Sequence, residues 1–206
     1  KLQGIDNDYD YGEWYSLTKP TAEELEEQRK KVFDAPVKFS IVIQAFKTPE
    51  RFLREMLDSV RGQSYQNWEL CLSDGSGEDS SIAGILEEYT KKDSRIRVKD
   101  NKKQLHISDN TNVALDMATG DYIAFMDHDD LLAPDALFEM VKMIRQGFHD
   151  EDGLAATAYR EAGNDYEMLY TDEDKVDMDG KTHFQPHLKP DFNIDLLRSN
   201  NYITHF

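Results

Sequence analysis

The stretch FSIVIQAFKTPERFLREMLDSV, residues 39–60, decides the fold of this chain. The run FSIVIQA is nearly continuously apolar and rich in β-branched side chains, which is typical of a strand buried on both faces. Thr48 and Pro49 then begin a helix, because apolar residues recur after them at helical spacing, at Phe52, Leu53, Met56, Leu57 and Val60. A buried strand followed directly by an amphipathic helix predicts one β-α unit of a parallel sheet.

The same alternation of strand and helix continues downstream. Apolar runs predict strands at residues 67–73, 95–98 and 121–126. Helical spacing predicts three further helices with these inward faces: Ile82, Ile85, Leu86 and Tyr89; Ile107, Thr111, Ala114, Leu115 and Ala118; Leu137, Val141 and Ile144. Strands interleaved with helices at this pitch predict an α/β fold with a doubly wound, mostly parallel sheet flanked by helices, as in Rossmann-like nucleotide-binding folds.

The N-terminal segment differs from this pattern. Residues 1–20 are acidic and aromatic with little periodicity, and Thr21 with Glu24 forms a capping box at the start of a helix. The charged faces of that helix favour a position on the surface. We therefore predict an acidic extension with a surface helix over residues 1–36, and one folded domain over residues 37–206.

The C-terminal part is also less regular. Residues 147–166 are polar and predict a loop or an irregular helix. Residues 167–186 predict a strand and then a hairpin that turns at Asp179-Gly180. A short helix near Asp195 and a closing strand at residues 201–206, NYITHF, complete the prediction.

Composition limits what the chain can be. With 206 residues and 39% hydrophobic content it can bury one core and is too short for two full domains. A net charge of −17 argues against a broad nucleic-acid surface, because the long-range field repels polyanions. The single cysteine, Cys71, excludes an internal disulfide and suits a reducing compartment. No apolar run reaches the length of a membrane span. The chain begins at Lys1 and stops in an apolar segment, so we expect both ends to be cuts in a longer protein.

Polar clusters follow three of the predicted strands. Residues 47–48, 74–77 and 127–130 stand at the carboxyl ends of the first, second and fourth strands. In open parallel sheets ligands bind beyond those ends, so the clusters predict a binding edge.

The last cluster, in FMDHDDLLAPDAL, contains Asp127, Asp129 and Asp130. Two like charges about 4 Å apart cost on the order of 4 kcal/mol at a surface-like dielectric. Either the cluster is a solvated turn that leads into the next helix, where acids are favoured, or a cation binds in it.

Long stretches of the chain resemble glycosyltransferase family 2 domains. They are FSIVIQAFKTPERFLREMLDSVRGQSYQNWELCLSDGSG, ATGDYIAFMDHDDLLAPDAL, LYTDEDKVDMDGKTHFQPHLKPDF and LLRSNNYITHF, the last two being similar to a bacterial polysaccharide-building subgroup. The resemblance implies a GT-A fold, a nucleotide-sugar donor with a UDP-sugar favoured, and a divalent cation. It also implies inverting chemistry, in which an acceptor hydroxyl attacks the anomeric carbon as the nucleoside diphosphate leaves.

The resemblance also implies roles for individual residues. Asp127 and Asp129 match the DxD motif, so Asp129 is expected to bind Mn²⁺ or Mg²⁺ directly, while Asp127 contacts the ribose and the metal. Carboxylate oxygens suit such hard cations. Phe46 is expected to stack on the base, and Asp74 to accept a hydrogen bond from a base N–H. Gln44 stands in the same nucleotide-binding motif.

Five positions depart from the family pattern. Gln44 replaces the usual Pro and Lys47 the usual Asn of the first motif, and Gly75 replaces the second Asp of DDGS. Gln104 and His106 stand where Asn and Gly are usual. These departures leave the identity of the sugar donor more open than the fold.

The resemblance leaves the position of the catalytic base open. Asp172 and Asp174 are candidates for the donor-sugar or acceptor site, whereas the family's base motif normally follows the segment that NYITHF matches. We therefore expect the true base beyond Phe206, and expect the fragment to bind metal and nucleotide but to transfer sugar poorly.

Three functional readings follow. The first is a cytoplasmic glycosyltransferase at the inner face of the membrane, within a larger protein, that acts on a glycan or lipid-linked glycan in cell-surface polysaccharide synthesis. The second is a non-catalytic GT-A-like nucleotide-binding or scaffold module. The third is a metal-dependent phosphohydrolase, which would need a nucleophile or second metal cluster that the sequence does not offer.

Overall fold

The computed structural model describes residues 11–146, 156–159 and 168–204. The described chain divides into a sheet unit, made of residues 22–146 and 204, and a hairpin unit, made of residues 11–21, 156–159 and 168–203. The helices are α1 (Tyr11–Thr18), α2 (Ala22–Lys30), α3 (Glu50–Arg61), α4 (Ala83–Lys92), α5 (Ile107–Leu115), α6 (Ala136–Gln146) and α7 (Ile194–Ser199). The strands are β1 (Phe39–Ala45), β2 (Trp68–Asp74), β3 (Ile96–Asp100), β4 (Tyr122–Phe125), β5 (Ala156–Tyr159), β6 (Met168–Thr171), β7 (Glu173–Val176) and β8 (His183–His187).

The sheet unit is built on a four-stranded sheet in the order β3-β2-β1-β4, in which every strand pair is parallel. Phe39 pairs with Trp68 on one side and with Tyr122 on the other, which fixes the register of the three strands. The central strands β1 and β2 are buried almost throughout. Burial of this kind requires helices on both faces, so the predicted doubly wound parallel sheet is confirmed.

Helices α3, α4 and α6 bury the faces that the sequence predicts. The fully or nearly fully buried side chains are Leu53, Met56, Leu57 and Val60 of α3, Ile85, Leu86 and Tyr89 of α4, and Leu137 and Val141 of α6. Each large aliphatic side chain buried in this way contributes roughly 1.5–3 kcal/mol. Two further residues that were predicted to face inward, Phe52 and Ile144, are only half-buried.

Helix α5 corrects the predicted inward face. Ile107 is 73% exposed and Leu115 is 37% exposed, whereas Asn110 is 1% exposed and Ala114 is fully buried. The reason is polar: the Asn110 side chain donates to the carbonyl of Ala45 and accepts from Ser73, so hydrogen bonds rather than apolar spacing choose the face.

The amino edge of the sheet is held by a buried carboxylate. Glu69 is 5% exposed. Its oxygens accept hydrogen bonds from Lys38 Nζ (2.8 Å), Ser40 Oγ (2.7 Å), Thr119 N (2.6 Å), Thr119 Oγ1 (2.9 Å) and Arg97 Nη1 (3.3 Å). Burial alone would raise the pKa of Glu69, but the hydrogen bonds outweigh it and lower the pKa to about 2.

Gly120 packs into the same edge. A Cβ atom at Gly120 would lie 2.6 Å from the carbonyl oxygen of Lys38 and 2.7 Å from the amide nitrogen of Ser40. Those are backbone atoms of the β1 segment, so this position tolerates no side chain without moving the strand.

The hairpin unit contains two antiparallel strand pairs, β5-β6 and β7-β8. The predicted turn is confirmed between β7 and β8, where Gly180 has a φ of 69° and its amide donates to the carbonyl of Asp177 at 2.9 Å. Helix α7 confirms the short helix near Asp195. Strand β5 lies within a stretch predicted as loop or irregular helix, and the rest of that stretch is outside the described residues.

The closing strand was predicted wrongly, and one helix was not predicted. Residues 201–204 form no strand, because Tyr202 is buried edge-on against Tyr170 and its hydroxyl accepts from the amide of Asn193 at 3.0 Å. Residues 205–206 are outside the described part. Helix α1 was not predicted, since its contacts are specific rather than periodic: Tyr15 stacks on His183 with ring centroids 3.7 Å apart.

None of the helices described here combines the length and apolar character that crossing a bilayer would require.

Candidate functional site

The carboxyl ends of β1, β2 and β4 bring three predicted polar clusters to one edge of the sheet. Ala45 pairs with Asp74, and Val42 pairs with Phe125, so the residues that follow these strands leave the sheet side by side. The amide of Gly75 donates to the carbonyl of Ala45 at 2.9 Å, which ties the first two ends together. This is the edge at which open α/β sheets bind ligands.

Gln44 and Asp127 meet at this edge. The Nε2 amide of Gln44 donates to Oδ1 of Asp127 at 3.4 Å, and both side chains are half-buried. The bond joins the last inward polar residue of β1 to the first aspartate after β4. It contributes to the orientation of the Asp127 carboxylate.

Asp129 is the more exposed aspartate, with 54% of its side chain accessible. The His128 imidazole lies beside it, with Nδ1 3.6 Å from Oδ1 of Asp129. Within the described chain, Nδ1 of His128 is buried without a hydrogen-bond partner. Residues 127–130, which we name the acidic turn, therefore present the open carboxylate of Asp129 to solvent, next to the partly buried Asp127.

The turn does not form a complete metal cage by itself. Among the described residues no group of three or more His, Cys, Asp or Glu side chains is arranged around a common point for a metal ion. Two carboxylates are nevertheless the usual protein contribution to Mg²⁺ or Mn²⁺ sites in which phosphate oxygens and water complete the coordination. The residues present therefore fit a cation shared with a phosphorylated ligand.

Three residues at the end of α3, which we name the turn clamp (Ser59, Gln63 and Ser64), fix the chain that follows the aspartates. Gln63 and Ser64 are 0% and 1% exposed. The bonds are Leu132 N to Ser59 Oγ (3.2 Å), Gln63 Nε2 to Ala133 O (2.7 Å), Ser64 N to Pro134 O (2.8 Å) and Leu137 N to Gln63 Oε1 (3.1 Å). Sequence reasoning missed the turn clamp; its only local signal is a polar pair directly after an amphipathic helix.

Gly75 and Asn110 pack together behind the edge. A Cβ atom at Gly75 would lie 2.6 Å from Nδ2 of Asn110. Asn110 accepts from Ser73 Oγ at 2.6 Å, and Asn101 donates to the same hydroxyl at 2.8 Å. The glycine that replaces the usual second Asp of the motif therefore makes room for a buried amide network.

Asp74 is more buried than we expect of a carboxylate that binds a ligand. It is 1% exposed, and its oxygens accept from the amide of Ser76 at 2.9 Å and from the hydroxyl of Ser80. A base N–H would reach Asp74 only if the loop of residues 76–80 opened. In the structure as it stands, Asp74 holds that loop.

Phe46 and Lys47 stand on the surface above β1. Phe46 is 41% exposed, and the Lys47 ammonium lies 5.2 Å from the centroid of its ring. Lys47 has a φ of 49°, unusual for a lysine, and its amide donates to Ser76 Oγ at 2.9 Å. One face of an aromatic ring is thus presented at the edge, and a cation is held beside it.

A pocket of about 140 Å³ opens next to Asp127. It is lined by Val42, Gln44, Ile107, Thr111, Phe125, Met126, Asp127 and Thr204. Gln44 and Asp127 are thus the sequence-predicted residues that border it.

Asp172 and Asp174 belong to the hairpin unit, where both carboxylates already have partners. Asp172 accepts from the amide of Lys189 at 2.7 Å. Asp174 accepts from the Tyr11 hydroxyl at 2.9 Å and contacts Nδ1 of His183 at 2.8 Å. Burial of Tyr11 and its bond to Asp174 raise the pKa of the hydroxyl, so it remains a donor. These contacts favour a structural role for Asp174.

Residues 40–199 match the family described as Glycosyl transferase family 2. The chain belongs to glycosyl transferase family 2. The match includes Asp127 and Asp129, the turn clamp and the β7-β8 hairpin. It confirms the predicted family, the glycosyltransferase class and the α/β fold of the GT-A type.

Two relatives of this family 2 domain are much longer than the chain. The chain is 38% identical over 192 residues to an uncharacterised protein, y4gI, of Sinorhizobium fredii, covering 93% of the chain and 19% of that protein. It is 32% identical over 197 residues to the O-antigen biosynthesis protein RfbC of Myxococcus xanthus, covering 96% of the chain and 14% of that protein. The chain thus spans less than a fifth of either relative.

Among solved structures, that of S. aureus TarS aligns with 62% of the chain and 37% of its own, at a TM-score of 0.48 and 23% identity.

Proposed function

We propose that this domain transfers a sugar from a nucleotide-sugar donor, a UDP-sugar by preference, to a glycan or lipid-linked glycan acceptor with inversion at the anomeric carbon. The observation that carries the proposal is the acidic turn: Asp127, hydrogen-bonded to Gln44, and the exposed Asp129 stand together at the ligand-binding edge of a family 2 sheet. An acceptor hydroxyl attacks the anomeric carbon and gives its proton to a general base, while the bond to the diphosphate breaks and the diphosphate leaves with the bonding electrons and takes up the negative charge.

The acidic turn suits a divalent cation that is shared with the diphosphate. Asp129 would hold Mn²⁺ or Mg²⁺ directly, and Asp127 would contact it while accepting a hydrogen bond from the ribose. The cation would supply positive charge where the leaving diphosphate becomes negative. The protein's own part would be to position the two carboxylates: Gln44 donates to Asp127, and the turn clamp holds the segment of residues 132–137 that follows them.

The base of the nucleotide would stack on the exposed face of Phe46. Its 41% exposure makes it the accessible aromatic surface beside the end of β1. Lys47 holds a positive charge beside that ring. Asp74 would accept a base N–H only after the loop of residues 76–80 moves, so we assign it first to positioning that loop.

The biological setting we propose is cell-surface polysaccharide synthesis at the cytoplasmic face of the membrane. It is supported by the relative named as an O-antigen biosynthesis protein. The free, buried Cys71 suits a reducing compartment. The acceptor and the base that deprotonates it are part of the proposal for the whole protein, because the chain spans 19% and 14% of the two relatives above.

Calorimetry with Mn²⁺ and UDP tests the proposal. We expect micromolar binding of UDP that requires Mn²⁺ and is lost in Asp129→Ala. The matched control is Asp116→Ala, which removes an exposed aspartate at the C-terminal end of α5 and should bind as the wild type does. Metal-independent UDP binding, or binding that survives in Asp129→Ala, would show that the acidic turn is not the metal site.

A second function, a non-catalytic nucleotide-binding or scaffold module, is favoured by one observation. Asp172 and Asp174 are both engaged by groups of their own unit, so neither stands ready to deprotonate an acceptor. Absence of Mn²⁺-dependent UDP binding in the calorimetry would favour the scaffold. A thermal-shift panel of nucleotide sugars with and without Mn²⁺ would identify the sugar if binding is found.

A further inference from the structure

Helix α2 is bonded to the rest of the sheet unit through Gln28 and Arg29 in its last turn, where Arg29 Nη2 donates to the carbonyl of Gly62 at 3.4 Å. The helix contains no buried residue. Oε1 of Gln28 accepts from the Ser64 hydroxyl at 2.6 Å, and the same side chain hydrogen bonds to the Asp135 carboxylate. After the helix, Phe33 packs against Tyr65 and Phe138 with ring centroids 5.8 and 5.6 Å apart. The apolar anchor thus lies outside the helix, and Gln28 makes the shorter of these two polar contacts.

Both partners of Gln28 are connected to Pro134, one by a hydrogen bond and one along the chain. Ser64 belongs to the turn clamp, and its amide holds the Pro134 carbonyl at 2.8 Å. Asp135 is the residue after Pro134 and lies only six positions beyond Asp129. Gln28 therefore closes a chain of hydrogen bonds that runs from α2 through the turn clamp to the segment that leaves the acidic turn.

Asp135 makes this chain sensitive to the loss of Gln28. Burial raises the pKa of Asp135, and the hydrogen bond from Gln28 opposes that shift. Without Gln28, a half-buried carboxylate would lose a hydrogen-bond donor, and Ser64 would lose the acceptor of its hydroxyl. A buried polar group left without a partner is relieved by movement of the backbone that carries it or by protonation.

We propose that Gln28 is a positioning residue for the acidic turn, acting through Ser64 and Asp135, so that docking of α2 sets the affinity of Asp127 and Asp129 for a divalent cation. The inference rests on the proposed function, because it takes that turn as the metal site. Helix α2 then does more than cover the surface. When α2 is displaced, the acidic turn becomes less ordered and binds the cation more weakly.

Hydrogen exchange and Mn²⁺ binding on the 206-residue chain test this together. In Gln28→Ala, we expect amides of residues 127–137 to exchange about fivefold faster, and Mn²⁺ in the presence of UDP to bind about fivefold more weakly, the size expected for one net hydrogen bond. Ser64→Ala keeps the amide that holds Pro134 and the bond between Gln28 and Asp135, so it should give a smaller change in the same direction. The double variant should be no worse than Gln28→Ala, because Gln28→Ala already removes the contact that Ser64→Ala removes.

The matched control is Glu27→Ala, which alters the exposed neighbour of Gln28 on the same helix and should change neither measurement. Unchanged exchange at residues 127–137 in Gln28→Ala would overturn the proposal, and so would unchanged Mn²⁺ affinity. Additive effects of the two single variants would also overturn it. If the wild-type chain bound no Mn²⁺, the proposed function would fail by itself, and the exchange rates alone would decide whether Gln28 orders the turn.

Discussion

The amino and the carboxyl edge of the parallel sheet both carry acidic side chains, but the surroundings of these side chains differ. At the amino edge, Glu69 is 5% exposed and accepts hydrogen bonds from four residues, two of them cationic. At the carboxyl edge, the Asp129 side chain is 54% exposed, and Nδ1 of His128 lies 3.6 Å from its carboxylate. A carboxylate that the protein itself satisfies holds the fold together, whereas one left open to solvent is available to a ligand.

Gly120→Ala should break the amino edge most severely. The added methyl group would lie 2.6 Å from Lys38 O and 2.7 Å from Ser40 N, so the backbone must shift, and we expect a loss of about 3 kcal/mol or more of unfolding free energy. Urea unfolding followed by circular dichroism measures it. Gly84→Ala is the control, because nothing lies within 4 Å of a Cβ there and alanine favours the helix, so it should stabilise slightly.

Glu69→Gln should lower the free energy of unfolding by about 2–3 kcal/mol at neutral pH, because Lys38 and Arg97 lose their charged partner. The loss should be smaller than for Gly120→Ala, because both cations remain partly accessible to water. Urea unfolding of the two proteins side by side measures the difference. A loss below about 0.5 kcal/mol would mean that the cluster does not stabilise the edge.

The pH dependence of the stability of Glu69→Gln gives a second test of the role of Glu69. The pKa of Glu69 is lowered from 4.5 to about 2 in the folded chain, so the unfolded state binds the proton more readily. Its stabilisation is therefore complete above pH 4.5 and is lost as pH falls towards 2. The stability difference between wild type and Glu69→Gln should shrink across that window. A difference that stays constant with pH would contradict the assignment.

Asp129→Asn should have the smallest effect on stability. Without metal, we expect a change within about 0.5 kcal/mol, or a slight gain, because one of three neighbouring negative charges is removed. Mn²⁺ should raise the melting temperature of the wild type and leave that of the variant unchanged, which differential scanning fluorimetry measures. A large loss of stability without metal would place Asp129 with the structural acids of the amino edge.

The sheet unit was predictable because its signals are local and periodic. Apolar runs located β1 to β4, and helical spacing gave the buried faces of α3 and α4. The convergence of Gln44, Asp74 and Asp127 at one edge then followed from the parallel arrangement.

What the sequence did not predict depends on polar contacts between distant positions. Gln63 reaches across 70 positions to the carbonyl of Ala133, and no periodicity marks such a bond. Asn110 is buried where an apolar residue was expected, because its amide serves β1 and β2. Asp74 was expected to be open to a base but is enclosed by Ser76 and Ser80. Each case is a polar group whose partner is distant in sequence or is a backbone atom.

Gly75 and Asn110 also have a consequence for the history of the domain. Because any side chain at position 75 would collide with the Asn110 amide, neither position can change first without harm. A related chain that keeps the second Asp of the motif should carry a smaller residue at the position of Asn110. We therefore expect positions 75 and 110 to have been substituted together as the family diverged. The residue pair at these positions would then classify family members by the packing of the carboxyl edge of the sheet.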